Sequence, residues 1–147
     1  MKPSNGYLRK PFDRQLHEEN DGPAKDAVMA YIRKNWGMNV VEGGQYDVDL
    51  IIIDKGREVG YGEVECRHNW VRDFPYQTVN VPYRKLKFFT FDLPTILFSV
   101  RSDLKQALWC RGDVIIDSPV VENKNKYVAA GEAFFSVPLR KWRLVDL

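Results

Sequence analysis

Four acidic residues fall where two short segments can bring them together. In "QYDVDLIII" Asp47 and Asp49 alternate with apolar positions, and in "GYGEVECR" Glu63 and Glu65 flank Val64. Both segments carry the two-residue alternation of strands, so the acids of each segment share one face. Two residues of rise set such carboxylates roughly 7 Å apart, where full charges repel by about 2 kcal/mol at an effective dielectric near 20. On a solvated outer face that cost is far smaller, and a solvated face is the plain structural explanation. A shared site is the other. Between the segments stands Asp54-Lys55-Gly56, a hairpin turn signal. With Lys55, Gly56 and Arg57 as the loop, Asp54 faces Glu58, and the same antiparallel register sets Asp49 opposite Glu63 and Asp47 opposite Glu65. Four carboxylates then converge on one patch. Like charges facing each other weaken a bare sheet, whereas a hard divalent cation such as magnesium or manganese reverses the sign of that energy. A two-residue loop would shift the pairing by one residue and undo the alignment.

An aspartate opening a strand, a turn, and Glu-x-Glu on the next strand, with a helix before and a basic helix after, resembles the PD-(D/E)XK nuclease superfamily. The pattern falls on Asp49 and on Glu63-Val64-Glu65, and the resemblance covers about residues 24–100. It implies an α/β fold with a restriction-endonuclease-like αβββαβ core, a mixed central sheet and extra C-terminal strands. It also implies a metal-dependent endo- or exonuclease that hydrolyses phosphodiester bonds, with Mg2+ or Mn2+ held by Asp49, Glu63 and Glu65, and Asp47 as an alternative ligand. No proline precedes Asp49, and Glu65 stands where lysine is usual, as in some restriction-type members. In the family the missing lysine can come from the following helix, and "VPYRKLKFF" offers Lys85 first and Lys87 second. The implied catalytic set is therefore Asp49, Glu63, Glu65 and Lys85, with Arg84, Lys87 and Arg67 on the nucleic acid. Glu65 would either ligate the metal or accept a proton from the attacking water. The absent motif lysine keeps open a non-catalytic nucleic-acid-binding or assembly module with a decayed site, and a small hydrolase acting on nucleotides is a third reading. The compact size and the Glu-x-Glu variant would suit a phage-type protein.

Several elements must position these residues. "GPAKDAVMAYIRKNWG" places Pro23 at a first helical position, Val28, Tyr31, Ile32 and Trp36 on one stripe, and Gly37 as the stop. "MNVVEGG" reads as a strand leading by a glycine turn into the Asp49 strand. Residues 67–81 read as a long loop with Trp70, Phe74 and Tyr76, which either cap the core or stack on bases. Pro82 starts a short helix carrying Arg84, Lys85 and Lys87, whose positive charges either meet phosphate or face solvent. "TILFSV" is a continuous apolar run typical of a strand buried on both faces. Beyond residue 102, "QALWC", "DVIID" and "EAFFSVPL" read as strands or extended segments, with Leu104 to Leu108 equally readable as a helical turn. Asp26 and Glu19 are candidates for an extra acid on the first helix, or simply complement its N-terminus. His68 is a proton relay or a surface histidine, and Arg140, Lys141 and Arg143 around Trp142 form a basic surface or a solvated edge strand.

A chain of 147 residues with 44% hydrophobic content suits one domain: an N-terminal arm over 1–21, a core over 24–100 and C-terminal strands over 101–147. A net charge of +2 permits a phosphate-backbone partner but is far below that of a dedicated nucleic-acid-binding module. Cys66 and Cys110 lie far apart, with only His17 and His68 to join them, which supports neither a disulfide framework nor a zinc site. No apolar stretch reads as a signal peptide or a membrane span. The expected setting is soluble and cytoplasmic, with nucleic acid as partner, DNA before RNA, no membrane, and homodimer formation allowed.

Overall fold

Ala24, Val28 and Ile32 recur every four residues and are fully buried, which is the stripe a helix needs to pack on a sheet. The computed structural model describes residues 14–44, 48–125 and 128–147, so Asp47 and residues 1–13 of the expected arm lie outside the described residues. Helix α1 spans Arg14–Tyr31 and continues through a π-helical turn over Ile32–Trp36. It stops where Gly37 takes the left-handed conformation at φ 64°. The expected start at Pro23 is corrected, because the helix begins at Arg14 and Pro23 lies inside it. Proline's fixed φ is itself helical, so the helix-forming run upstream continues through it with the loss of one backbone hydrogen bond.

Two sheets follow. Strands β1 (Asn39–Glu42), β2 (Leu50–Asp54), β3 (Arg57–Arg67), β5 (Thr95–Arg101), β6 (Gln106–Arg111) and β9 (Arg143–Asp146) form the larger sheet in the order β1-β2-β3-β5-β6-β9. It is mixed: β3 and β5 are parallel and every other neighbouring pair is antiparallel. Strands β4 (Thr78–Pro82), β7 (Val120–Asn125) and β8 (Val128–Pro138) form the smaller one, in the order β4-β8-β7. The chain is thus a mixed α/β protein with a sheet-rich core.

Residues on opposite faces of the larger sheet belong to two cores. Val40, Leu50, Ile52, Val64, Phe98 and Val100 pack with α1, whereas Ile51, Tyr61, Leu97 and Leu108 pack with Val79, Val81, Phe135 and Val137 of the smaller sheet. Phe88 and Phe89 of α2 (Leu86–Phe89) and Ile115 of α3 (Gly112–Ile116) close the second core. A parallel pair cannot be joined by a tight turn, so β3 reaches β5 by a crossover. That crossover carries β4, a 3-10 turn over Tyr83–Lys85, and α2.

Three sequence expectations change here. Residues 67–81 are not all loop, since Val79 and Val81 are fully buried and β4 pairs with β8 from Thr78 opposite Pro138 to Pro82 opposite Phe134. "DVIID" is helical rather than extended: Asp113 sits in the first turn of α3, where a negative charge is favoured, and Ile115 is buried. The hairpin loop is also shorter, with Asp54 opposite Arg57 and Lys55 and Gly56 both at positive φ, as a two-residue primed turn requires. Among the described residues, no helix is long and apolar enough to cross a membrane.

Candidate functional site

The short turn alone would move the hairpin out of the register that aligns the acids. A bulge restores it. Ile53 pairs with Glu58 but Ile52 pairs with Gly60, leaving Val59 as the extra residue, and from there the ladder runs through Ile51 opposite Tyr61 to Leu50 opposite Gly62. One step further along this register stand Asp49 and Glu63.

These two residues carry the ladder on with their side chains. The Asp49 backbone N–H donates to Glu63 Oε2 at 2.9 Å, and the Val64 N–H donates to Asp49 Oδ2 at 2.8 Å. Each carboxylate thereby satisfies a backbone donor at the strand end, where no partner strand residue remains to do so. Lys85, delivered by the 3-10 turn after β4, places its Nζ 3.4 Å from Glu63 Oε1 and 3.5 Å from Glu65 Oε1. Arg67 donates to Glu65 Oε2 at 3.1 Å, to the Asn80 carbonyl of β4 at 2.8 Å and to Ser99 Oγ of β5 at 3.3 Å. From the other side of the hairpin, Lys25 of α1 lies 3.5 Å from Asp49 Oδ1. Asp49, Glu63, Lys85, Glu65 and Arg67 thus form one connected chain of charges where the two sheets meet.

Glu63 is the most deeply placed acid, 4% exposed. Burial pushes its pKa up to about 6, the Asp49 charge adds to the rise, and Lys85 together with the Asp49 N–H holds it back. Lys85 is itself only 9% exposed, so each residue is buried beside the other. Asp49 is more open: a cavity of about 280 Å3 lined by Lys25, Glu42, Gly44, Val48 and Asp49 reaches it from the surface.

The remaining candidates lie elsewhere. Arg84 is exposed and 3.9 Å from Glu132, and the Lys87 ammonium sits 4.9 Å from the centre of the Phe88 ring. Arg67, expected on nucleic acid, points its guanidinium at Glu65, Asn80 and Ser99. Trp70 is a core residue whose Nε1 donates to the Arg72 carbonyl at 2.6 Å, and it packs edge-on against Phe74, so it offers no face for stacking a base. Tyr76 is exposed, as are His68 and Asp26, while Glu19 is outside the described side chains. Lys25 was not among the expected site residues. Its signal was its place, one residue past Ala24 and therefore at the border of the buried stripe.

Hard carboxylate oxygens are the donors that magnesium or manganese takes, and Asp49 and Glu63 supply them as a pair. Among the described residues, however, no three acidic, histidine or cysteine side chains gather as a metal-binding group. Every oxygen of the three acids already meets a partner: Lys25 and the Val64 N–H at Asp49, Lys85 and the Asp49 N–H at Glu63, Lys85 and Arg67 at Glu65. Burial, more than the Asp49 charge, raises the proton affinity of Glu63. The donor type of Asp49 and Glu63 is the one a divalent cation takes, but a set of three such side chains is not gathered among the described residues. Comparison with protein-family models and with curated proteins returns no match.

Proposed function

We propose that this chain is a metal-dependent nuclease with a restriction-endonuclease-like core, hydrolysing phosphodiester bonds of nucleic acid, DNA before RNA. One observation carries the reading: the buried Lys85 ammonium stands within 3.5 Å of both Glu63 and Glu65, while Glu63 is locked to Asp49. In this reading Asp49 and Glu63 hold Mg2+ or Mn2+, with Glu65 as third ligand, or with Asp47 in its place. A bound cation of this kind lowers the pKa of water and polarises a phosphoryl oxygen. Lys85 offsets the charge that builds on the phosphorane-like transition state, and a carboxylate at Glu65, where it does not ligate, accepts the proton of the attacking water. Arg84 and Lys87 would contact the phosphate backbone.

A second reading has its own support. The acids are already neutralised by Lys25, Lys85 and Arg67, which is what a non-catalytic nucleic-acid-binding or assembly module with a decayed site would retain as structure. The deciding experiment incubates the protein with single- and double-stranded DNA and RNA in Mg2+ or Mn2+, beside Asp49→Asn. The nuclease reading expects metal-dependent cleavage that is lost in the variant. Binding without cleavage of any substrate supports the decayed module, and cleavage persisting in Asp49→Asn places the activity elsewhere.

A further inference from the structure

On the face of the larger sheet away from α1, Leu108 of β6 lies opposite Leu144 of β9 and Ser99 of β5 lies opposite Leu108. Glu65 is the neighbour of Ser99 on β3, so Leu108 stands two strands away from the acid cluster. Leu108 and Leu144 line a second cavity, of about 290 Å3, together with Trp70, Asp73 and Phe74 from the segment after β3 and with Leu139 and Trp142 from the turn before β9. Hydrogen bonds within the chain fix these walls. The Trp70 Nε1 donates to the Arg72 carbonyl at 2.6 Å, the Trp70 carbonyl accepts from the Ser102 N–H at 3.0 Å, and the Trp142 N–H donates to the Leu139 carbonyl at 3.0 Å. Asp73 is the one charged side chain on the lining, and among the described residues no cation pairs with it and no donor bonds to it. Arg101, the cation that feels its charge, is committed to Asp103 and to Gln106, each at 2.8 Å.

We propose that this cavity binds a small organic ammonium with an apolar body, the body against Trp70, Leu108 and Trp142 and the charge beside Asp73. A preformed apolar lining supplies affinity through the area it covers, and a single carboxylate supplies orientation and selects the sign of the ligand's charge. Aromatic walls favour a cation as well. The volume is that of about ten water-sized groups, enough for one ring with a short aminoalkyl chain. An anion would meet the Asp73 charge with no cation on the lining to receive it, which sets this cavity apart from any path for phosphate and makes the proposal independent of the nuclease reading.

The probes are 2-phenylethylamine, an ammonium at neutral pH, its neutral isostere 2-phenylethanol and the anion 3-phenylpropionate, each titrated to millimolar concentration into the full chain and followed by the NMR signals of the indole N–H groups. The amine is expected to bind about three- to fivefold tighter than the alcohol, the range of one partly exposed ion pair, and the anion more weakly than either. Shifts should fall on Trp70 and Trp142 and spare Trp109, which packs against Trp36 on the opposite face of the sheet. Asp73→Asn is expected to bind amine and alcohol equally, whereas Asp92→Asn, which removes an exposed acid elsewhere, keeps the preference. Leu144→Ser, at an exposed edge of the cavity, should weaken amine and alcohol alike. Equal affinity for amine and alcohol in the wild type, or a preference that survives Asp73→Asn, overturns the assignment of an ammonium to Asp73. Shifts confined to Trp36 and Trp109, or no binding of any probe, overturn the cavity as a binding site.

Discussion

Glu63 and Asp49 are bound reciprocally at the point where the β2–β3 ladder ends: Glu63 Oε2 takes the Asp49 N–H, and Asp49 Oδ2 takes the N–H of the residue after Glu63. Two acids that repel are held together because Glu63 completes the backbone of Asp49 and Asp49 completes that of Val64. Burial first and the Asp49 charge second make ionised Glu63 costly in the folded state, and Lys85 offsets part of that cost.

That cost sets a pH dependence. The folded pKa of Glu63, about 6, lies above the value near 4.3 of an unfolded glutamate, so the folded state binds the proton more tightly. The contribution is fully present below about pH 4.3 and is lost as pH rises through 6, amounting to about 2 kcal/mol. Glu63→Gln removes the titration. Urea unfolding should show Glu63→Gln gaining up to about 2 kcal/mol relative to wild type at pH 8 compared with pH 5. A difference that does not change with pH would contradict this, and a loss of several kcal/mol at pH 8 would assign Glu63 a purely structural role.

Arg67 ties Glu65, Asn80 and Ser99 across three strands with a guanidinium that is only partly exposed. Arg67→Met should destabilise the fold by about 2 kcal/mol, as expected for removing charge-assisted bonds and leaving a half-buried acid short of a partner. Its effect on the salt dependence of nucleic-acid binding should be small. Unchanged stability with a flatter salt dependence would return Arg67 to the role of a phosphate ligand.

The exposed basic pair Arg84 and Lys87 is the better candidate for the nucleic-acid backbone. Replacing both with alanine should weaken binding and flatten its dependence on salt, by a slope change of about 0.7 to 0.9 for each phosphate that is no longer neutralised. Fluorescence anisotropy at several salt concentrations reads this directly, and an unchanged slope would make them ordinary solvent-facing charges.

Asp49, Glu63 and Glu65 were legible because alternation in "VDLIII" and "GYGEVECR" fixes which side chains of one strand share a face, whereas their alignment across the hairpin depends on the turn. The turn length was not legible, because Lys55-Gly56 and Lys55-Gly56-Arg57 are both acceptable loops, and the bulge at Val59 that reconciles the short one with the acid alignment leaves no compositional mark. Lys85 enters through the crossover between two parallel strands, a placement that the resemblance suggested and local pattern could not. Strand β4 had its signal in the alternation Thr78-Val79-Asn80-Val81, masked by the prolines at 75 and 82. The five residues of α3 are too few for periodicity to separate helix from strand, and tertiary packing of Ile115 decides it. Lys25, the Asn80 carbonyl and Ser99 meet the site only because distant parts of the chain pack together, which one sequence does not display.

The proposed nuclease activity requires Lys85 to serve chemistry rather than only to neutralise Glu63 and Glu65. Single-turnover cleavage with saturating Mn2+ and nucleic acid, comparing wild type with Lys85→Met, tests it most directly, with a thermal melt to confirm that the variant is folded. The expected result is a fall in cleavage rate of at least about a hundredfold with nucleic-acid affinity nearly unchanged, the signature of a charge donor that acts in the transition state. A folded variant that keeps the wild-type saturating rate would contradict the account and make Lys85 a structural counter-ion.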